Sequence, residues 1–195
     1  MKYLSFGEIM LRLKTPGTMR LFQTDILEAT FGGGEANVAV SLSNYGCDAG
    51  FLTFLPNNSL GEHCINELCR FGVDTTRILR GAGRMGIYFL ESGANQLPSK
   101  VIYDREYSAI ALAKVGDVDW EKALADVGWF HITGITPAIS ETAMELSLEA
   151  VKEAKARKIT VSCDLNYRKK FMEIWKKHSG SNDRACQVCG CLNCK

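Results

Sequence analysis

The sequence predicts an α/β protein with a mostly parallel sheet and helices on its faces, and three observations carry that prediction. Strand-like apolar runs alternate with amphipathic helical stretches along most of the chain, which implies crossover connections and a covered parallel sheet. Three consecutive glycines, Gly32, Gly33 and Gly34, run directly into one of these helices. The composition, 46% apolar with a formal net charge of +1 over 195 residues, is that of a globular chain long enough to bury one core.

Residues 2–7 form a short strand in the N-terminal stretch MKYLSFGEIMLRL, where Gly7, Glu8 and Arg12 interrupt the apolar run and argue against a secretory leader. Residues 19–31 are irregular or β and lead to the glycines. In the helix that follows, Val38, Leu42 and Tyr45 fall on one face, and Gly46 closes it as a left-handed cap. Residues 49–55 are a compact apolar run, read as a buried strand. A capping box at Ser59 and Glu62 starts the next helix, with Leu60, Cys64, Leu68 and Phe71 as its apolar stripe and Gly72 at its end.

The texture then changes. Residues 86–91 and 100–104 are strand-like and are joined by the polar, turn-forming residues 92–99, the pattern of a β-hairpin or flap. Alternation resumes with a short helix near 119–126, a strand at 129–133, a helix at 140–156 with Met144, Leu148 and Val151 on one face, and a strand at 159–165. Trp120 and Trp129 read as core, and His131 reads as a satisfied core histidine. Neither an internal repeat nor a low-complexity linker interrupts the pattern.

The glycine turn has the makings of a binding site. Glycine lets the backbone approach a ligand closely and tolerates positive φ. The unpaired N–H groups and positive dipole end of the helix start favour an oxygen-rich or anionic ligand. Other classes find less support. With 23 basic and 22 acidic residues, and no basic run beyond Arg168, Lys169 and Lys170, the chain lacks an electrostatic footprint for nucleic acid. No stretch is long and apolar enough for a membrane span. These two exclusions lead to the expectation of a cytoplasmic protein with reduced cysteines. Of the eight cysteines, Cys47, Cys64, Cys69 and Cys163 are scattered, and Cys64 and Cys163 read as small buried hydrophobes.

Taken together, the glycine turn with Asn37, Ala39 and Gly46, LPNNSLG at 55–61, GVDT at 72–75, the strands GIYFLE and SKVIYDR, HITGITPAIS at 131–140 and VSCDLNYRKK at 161–170 resemble the ribokinase-type (PfkB) carbohydrate kinases, most closely the 2-keto-3-deoxygluconate kinases. The resemblance covers residues 1–172 and stops there. It implies a ribokinase-like three-layer α/β/α fold carrying a small β-sheet lid, to which residues 86–104 would belong. It also implies ATP and Mg²⁺ as cofactors, a small sugar acid as substrate, and relatives that are often homo-oligomeric.

On the matching positions the chemistry is coherent. Gly33, Gly34 and Asn37 would meet sugar oxygens, Tyr88 and Tyr103 would stack on the sugar, and Ile135 would line the floor. Arg105 and Arg168 would grip the carboxylate with paired donors. Asn166 and Arg168, at the carboxyl end of the last strand, would reach nucleotide phosphates. Each has a plainer competitor: strand aromatics are commonly packing, Arg105 is flanked by Asp104 and Glu106 and would then be a weak solvated ion pair, and Arg168 opens a run of surface charge.

Relatives carry a second half with a glycine-rich G-A-G-D loop, whose aspartate is the catalytic base and whose amides hold the transferring phosphate. Nothing after Lys170 resembles it, so no catalytic residue is assigned within this chain. Residues 173–195 read as a divergent, disordered tail ending in C-x-x-C-x-C-x-x-C. Cys186, Cys189, Cys191 and Cys194 are soft ligands for zinc or copper(I). The one-residue spacer is cramped for a structural zinc site, and the abrupt loss of the second half favours a truncated or frameshifted end over a metal centre. Two functions therefore stand: phosphorylation of 2-keto-3-deoxygluconate by MgATP with this chain supplying the sugar-binding half, or an inactive fragment that binds sugar weakly or carries a metal-binding tail.

Overall fold

A computed structural model describes residues 1–166. Arg168 and the tail cysteines Cys186, Cys189, Cys191 and Cys194 lie outside the described residues. In chain order the elements are β1 (Lys2–Phe6), β2 (Met10–Lys14), β3 (Glu28–Gly32), α1 (Gly34–Asn44), β4 (Ala49–Pro56), α2 (Ser59–Arg70), β5 (Ile78–Gly81), β6 (Ile87–Glu91), β7 (Lys100–Asp104), α3 (Ala109–Leu112), α4 (Trp120–Ala123), β8 (Val127–Thr133), a 3-10 turn (Thr136–Ala138), α5 (Glu141–Ala156) and β9 (Thr160–Asp164).

Five strands form one sheet in the order β5-β4-β1-β8-β9, every pair parallel. Strand β4 is buried along its whole length and divides its side chains between two cores. Leu52 and Phe54 join Leu146, Ala150 and Val151 of α5, whereas Phe51 and Leu55 join Ala36 and Ala39 of α1 and Cys64 and Leu68 of α2. Helices thus cover both faces, as a parallel sheet requires, and the predicted three layers are present. A second sheet, β3-β2-β6-β7, is mixed: β2 pairs antiparallel with β3 and parallel with β6, and β6 and β7 form the expected antiparallel hairpin. Among the described residues no helix is long and apolar enough to cross a membrane.

Several expectations need correction. The N-terminal stretch is two strands in different sheets, with residues 7–9 crossing from the large sheet into the small one. The buried face of α1 is Glu35, Ala36 and Ala39, and Tyr45 is 83% exposed at the C-cap. Close packing of α1 on the sheet selects small side chains there, which a search for large apolar residues overlooks. Asn58, not Ser59, caps α2 by accepting from Gly61 N at 3.1 Å, while Glu62 is engaged by Arg80. Leu60 and Phe71 are exposed at the two ends of a stripe whose centre, Cys64 and Leu68, is buried. Burial pushes the Cys64 thiol up to about 12, so it behaves as the small hydrophobe expected.

The remaining helices follow the reading more closely. Ser140 caps α5 through Ala143 N at 3.0 Å, and Met144 and Val151 are buried. Trp120 is core, edge-on to Phe6. Trp129 is only partly buried and donates its indole N–H to Ser162 Oγ at 2.8 Å. His131 is also partly buried, with Nδ1 2.9 Å from the same hydroxyl, and burial lowers its pKa. The short β5 and α3 were not predicted.

At the opposite edge of the sheet from the glycine turn, Lys2 Nζ lies 2.8 Å from Asp74, 3.4 Å from Asp126 and 3.6 Å from Asp48. Arg77 adds a 2.6 Å bridge to Asp74 and a second to Asp126. The cluster ties the start of β1 to the segments that precede β5 and β8. Burial opposes the charge on Asp74, but hydrogen bonds from Lys2 and Thr76 outweigh it and hold this carboxyl well below the usual carboxylate range. A depressed folded-state pKa stabilises above the unfolded value of about 4 and ceases to do so as pH falls through the folded one. Asp74→Asn is expected to cost about 1–3 kcal/mol at pH 7, and the gap to wild type should close as the pH is lowered toward about 2. Urea unfolding across that range checks this; a pH-independent gap would contradict it.

Candidate functional site

The glycine turn is crowded rather than left-handed. Gly33 precedes α1 in extended conformation and, as a glycine, offers the helix no capping side chain. A Cβ on Gly33 would run into the carbonyl oxygen of Glu8, and one on Gly32 would lie 2.7 Å from Tyr88 Oη. Gly34 would meet only an ordinary 3.6 Å contact with Thr133. Close approach of the Glu8 backbone, and not positive φ, is therefore what requires glycine at 33, whereas at 32 the neighbour is only the movable end of the Tyr88 side chain. Gly46, by contrast, has φ +77° and closes α1 as expected.

The small sheet leans over this turn and encloses a cavity of about 250 Å³. All predicted site residues within the described range line it: Gly33, Gly34, Asn37, Tyr88, Tyr103, Arg105, Ile135 and Asn166. Tyr88 and Tyr103 are register partners on β6 and β7, with ring centroids 5.9 Å apart. The Arg105 guanidinium lies 5.7 Å from the Tyr103 ring centroid, within the range of a cation–π contact. It is not the solvated pair that its sequence neighbours suggested. Its side chain is 11% exposed and forms an ion pair with Glu8, while Asp104 is engaged by Arg84. Asn166, at the far end of the cavity, has φ +39° and donates its N–H to Asp164 Oδ1 at 3.0 Å.

Glu8 and Glu35 line the same cavity and were missed by the sequence reading. Glu35 is 2% exposed, in the first turn of α1, and its Oε1 accepts from Thr133 Oγ1 at 2.7 Å and Thr136 Oγ1 at 2.6 Å. Burial raises its pKa, with the Thr136 and Thr133 hydroxyls opposing that rise. Its carboxyl group fills the space that a Cβ on Gly7 would occupy. Through Thr133, which also accepts from Ile135 N at 3.1 Å, Glu35 fixes the floor of the cavity to the start of α1. Glu8 is 4% exposed and takes a 2.8 Å hydrogen bond from Ser108 Oγ. The only signals in the sequence were an acid in the first turn of a helix and the two threonines flanking Gly134.

A larger cavity, about 460 Å³, lies between β4, β5 and α3 and is lined by Phe54, Arg80, Ala109 and Lys114 among others. Its Arg80 guanidinium is committed to the Pro56 carbonyl at 3.0 Å and to Glu62, and none of the predicted site residues reaches it. The smaller cavity has the convergent polar groups expected of a substrate site.

Comparison with known proteins agrees with this assignment of the fold. The family described as pfkB family carbohydrate kinase matches residues 2–179. The 2-dehydro-3-deoxygalactonokinase of Haloferax volcanii is 37% identical over 167 residues, covering 86% of this chain and 52% of that protein. The 2-dehydro-3-deoxygluconokinase of Bacillus subtilis is 26% identical over 166 residues, covering 84% of this chain and 51% of that one. Among solved structures, 2-dehydro-3-deoxygluconokinase from Thermotoga maritima superposes with a TM-score of 0.83 at 54% identity, over 88% of this chain and 52% of that one. The chain spans about half the length of the curated relatives it matches, and its architecture is ribokinase-like. With the family match extending over most of its length, and with the glycine turn and small sheet in the expected arrangement, the chain belongs to the pfkB family of carbohydrate kinases.

Proposed function

We propose that this chain is the sugar-binding half of a kinase that transfers the γ-phosphoryl group of ATP to a hydroxyl of a 2-keto-3-deoxy sugar acid, most directly 2-keto-3-deoxygluconate. The observation that carries the reading is the position of Arg105 in a small cavity, which it shares with the start of α1 and the paired tyrosines. Its fork matches a carboxylate. The amides and Asn37 side chain at the helix start suit the ketone and hydroxyls, and the Tyr88 and Tyr103 rings suit the aliphatic carbon chain between them. The names of the similar proteins support the same class of substrate.

In this reaction the substrate oxygen attacks the γ-phosphorus, the bond to ADP breaks, and the hydroxyl proton leaves to a base. Neither buried acid of the cavity serves as that base, because Glu8 pairs with Arg105 and Glu35 accepts from two hydroxyls. The role falls to the aspartate of the G-A-G-D loop that relatives carry in their second half. Asn166 and Arg168 would approach the nucleotide from the end of β9. Mg²⁺ in this reading arrives on the ATP phosphates.

Two outcomes are expected. In a coupled ADP-release assay with 2-keto-3-deoxygluconate and MgATP, the 195-residue chain should give no turnover, and a chain extended to the length of its relatives should be active; equal turnover would refute the division of labour. Calorimetric titration of Arg105→Ala with the sugar acid should show affinity reduced by about 10- to 100-fold, the loss of one charge-assisted pair. Unchanged affinity would remove Arg105 from the site.

A further inference from the structure

We infer that Glu8 is a positioning residue: it holds the Arg105 guanidinium in the orientation from which it takes the substrate carboxylate. The inference deepens the sugar-acid reading and rests on it. Glu8 sits where the chain crosses from the large sheet into the small one. It meets three parts of the chain there. Ser108 Oγ donates to Oε1 at 2.8 Å, Arg105 pairs with Oε2, and a Cβ on Gly86 would lie 2.8 Å from Oε1, so the absence of a side chain at 86 makes room for the carboxylate. On its backbone side, the Glu8 carbonyl packs against Gly33.

An apolar residue of similar volume would fill this space without the cost of burying a charge. What the carboxylate adds is direction. An arginine side chain is rich in rotamers, and ordering it only when substrate arrives would weaken binding. Glu8 fixes one edge of the fork, and the Tyr103 ring lies 5.7 Å from its centre. Burial raises the Glu8 pKa, opposed by the Arg105 charge and the Ser108 hydrogen bond, and an ionised Glu8 would offset part of the guanidinium charge. The two possible roles therefore differ in sign. If Glu8 only balanced charge, removing its own charge would tighten binding of an acid; if it positions the fork, the same change weakens it.

The test is Glu8→Gln in the full 195-residue chain, followed with ¹⁵N-labelled arginine and by calorimetry. The Arg105 Nη signals should be resolved in wild type, where rotation is hindered, and averaged in the variant. Affinity for 2-keto-3-deoxygluconate should fall about tenfold, the scale of one charge-assisted hydrogen bond. Affinity for 3-deoxyfructose, which carries CH₂OH in place of the carboxylate, should be unchanged. Ser108→Ala, which leaves the ion pair but frees Oε1, should produce a smaller loss in the same direction and serves if Glu8→Gln does not fold. Unaltered Arg105 signals, unchanged or tighter acid binding, or equal loss of both ligands would overturn the inference. If the signals average in the variant while wild type itself does not distinguish acid from alcohol, Glu8 still fixes Arg105 and it is the sugar-acid reading that fails.

Discussion

Glu35 buries its carboxyl group in the gap left by Gly7 and accepts hydroxyls from Thr133 and Thr136, and the geometry of the site depends on that contact. It joins the end of β1, the start of α1, the end of β8 and the 3-10 turn at one point. Burying a carboxylate is costly, by several kcal/mol before compensation. Here two short hydroxyl hydrogen bonds and the positive end of the α1 dipole offset part of that cost. A side chain at residue 7 would displace the carboxyl, and loss of either threonine would leave it short of donors. Because α1 begins at this anchor, the direction of its first turn is set before any ligand is present.

The topology then accounts for where the cavity lies. In a parallel sheet all carboxyl ends face one edge, and the reversal of strand order at β1 leaves a crevice there. Gly7 follows β1, Gly134 follows β8 and Asn166 follows β9, so the three loops emerge side by side. Instead of ending in a loop, the chain after β1 continues through Glu8 into the small sheet, which places Tyr88, Tyr103 and Arg105 across from the helix start. One continuous segment thus carries both the scaffold and the cover of the site. That continuity is the reason a buried residue at the crossing can govern the orientation of an arginine on the far side.

Much of this was legible in the sequence where local pattern and tertiary fate coincide. The hairpin of β6 and β7 is written as two strands around a polar turn, and α5 as a periodic helix, and both formed as read. The site residues from Gly33 to Asn166 came from motif resemblance, and they converge on one cavity. What was not legible depends on distant glycines. Glu8 and Glu35 were not singled out, because an acid is normally exposed, and the space that allows their burial is created at Gly86 and Gly7. The face of α1 was misjudged for a related reason: Ala36 and Ala39 are buried because the helix lies close to the sheet, and alanine carries little weight in an apolar pattern. Arg105 was offered its sequence neighbours as partners, but the fold gives Asp104 to Arg84 and Glu8 to Arg105.

The account depends most on the claim that the cavity under the small sheet, and not the larger one beside Arg80 and Lys114, takes the sugar acid. Titrating ¹⁵N-labelled protein with 2-keto-3-deoxygluconate and following backbone amides decides between them. The account predicts saturable shifts at Gly33, Gly34, Asn37, Tyr103, Arg105 and Ile135, with Arg80, Ala82 and Lys114 unmoved. Shifts centred on Arg80 and Lys114, or none at the glycine turn at saturating ligand, would contradict it.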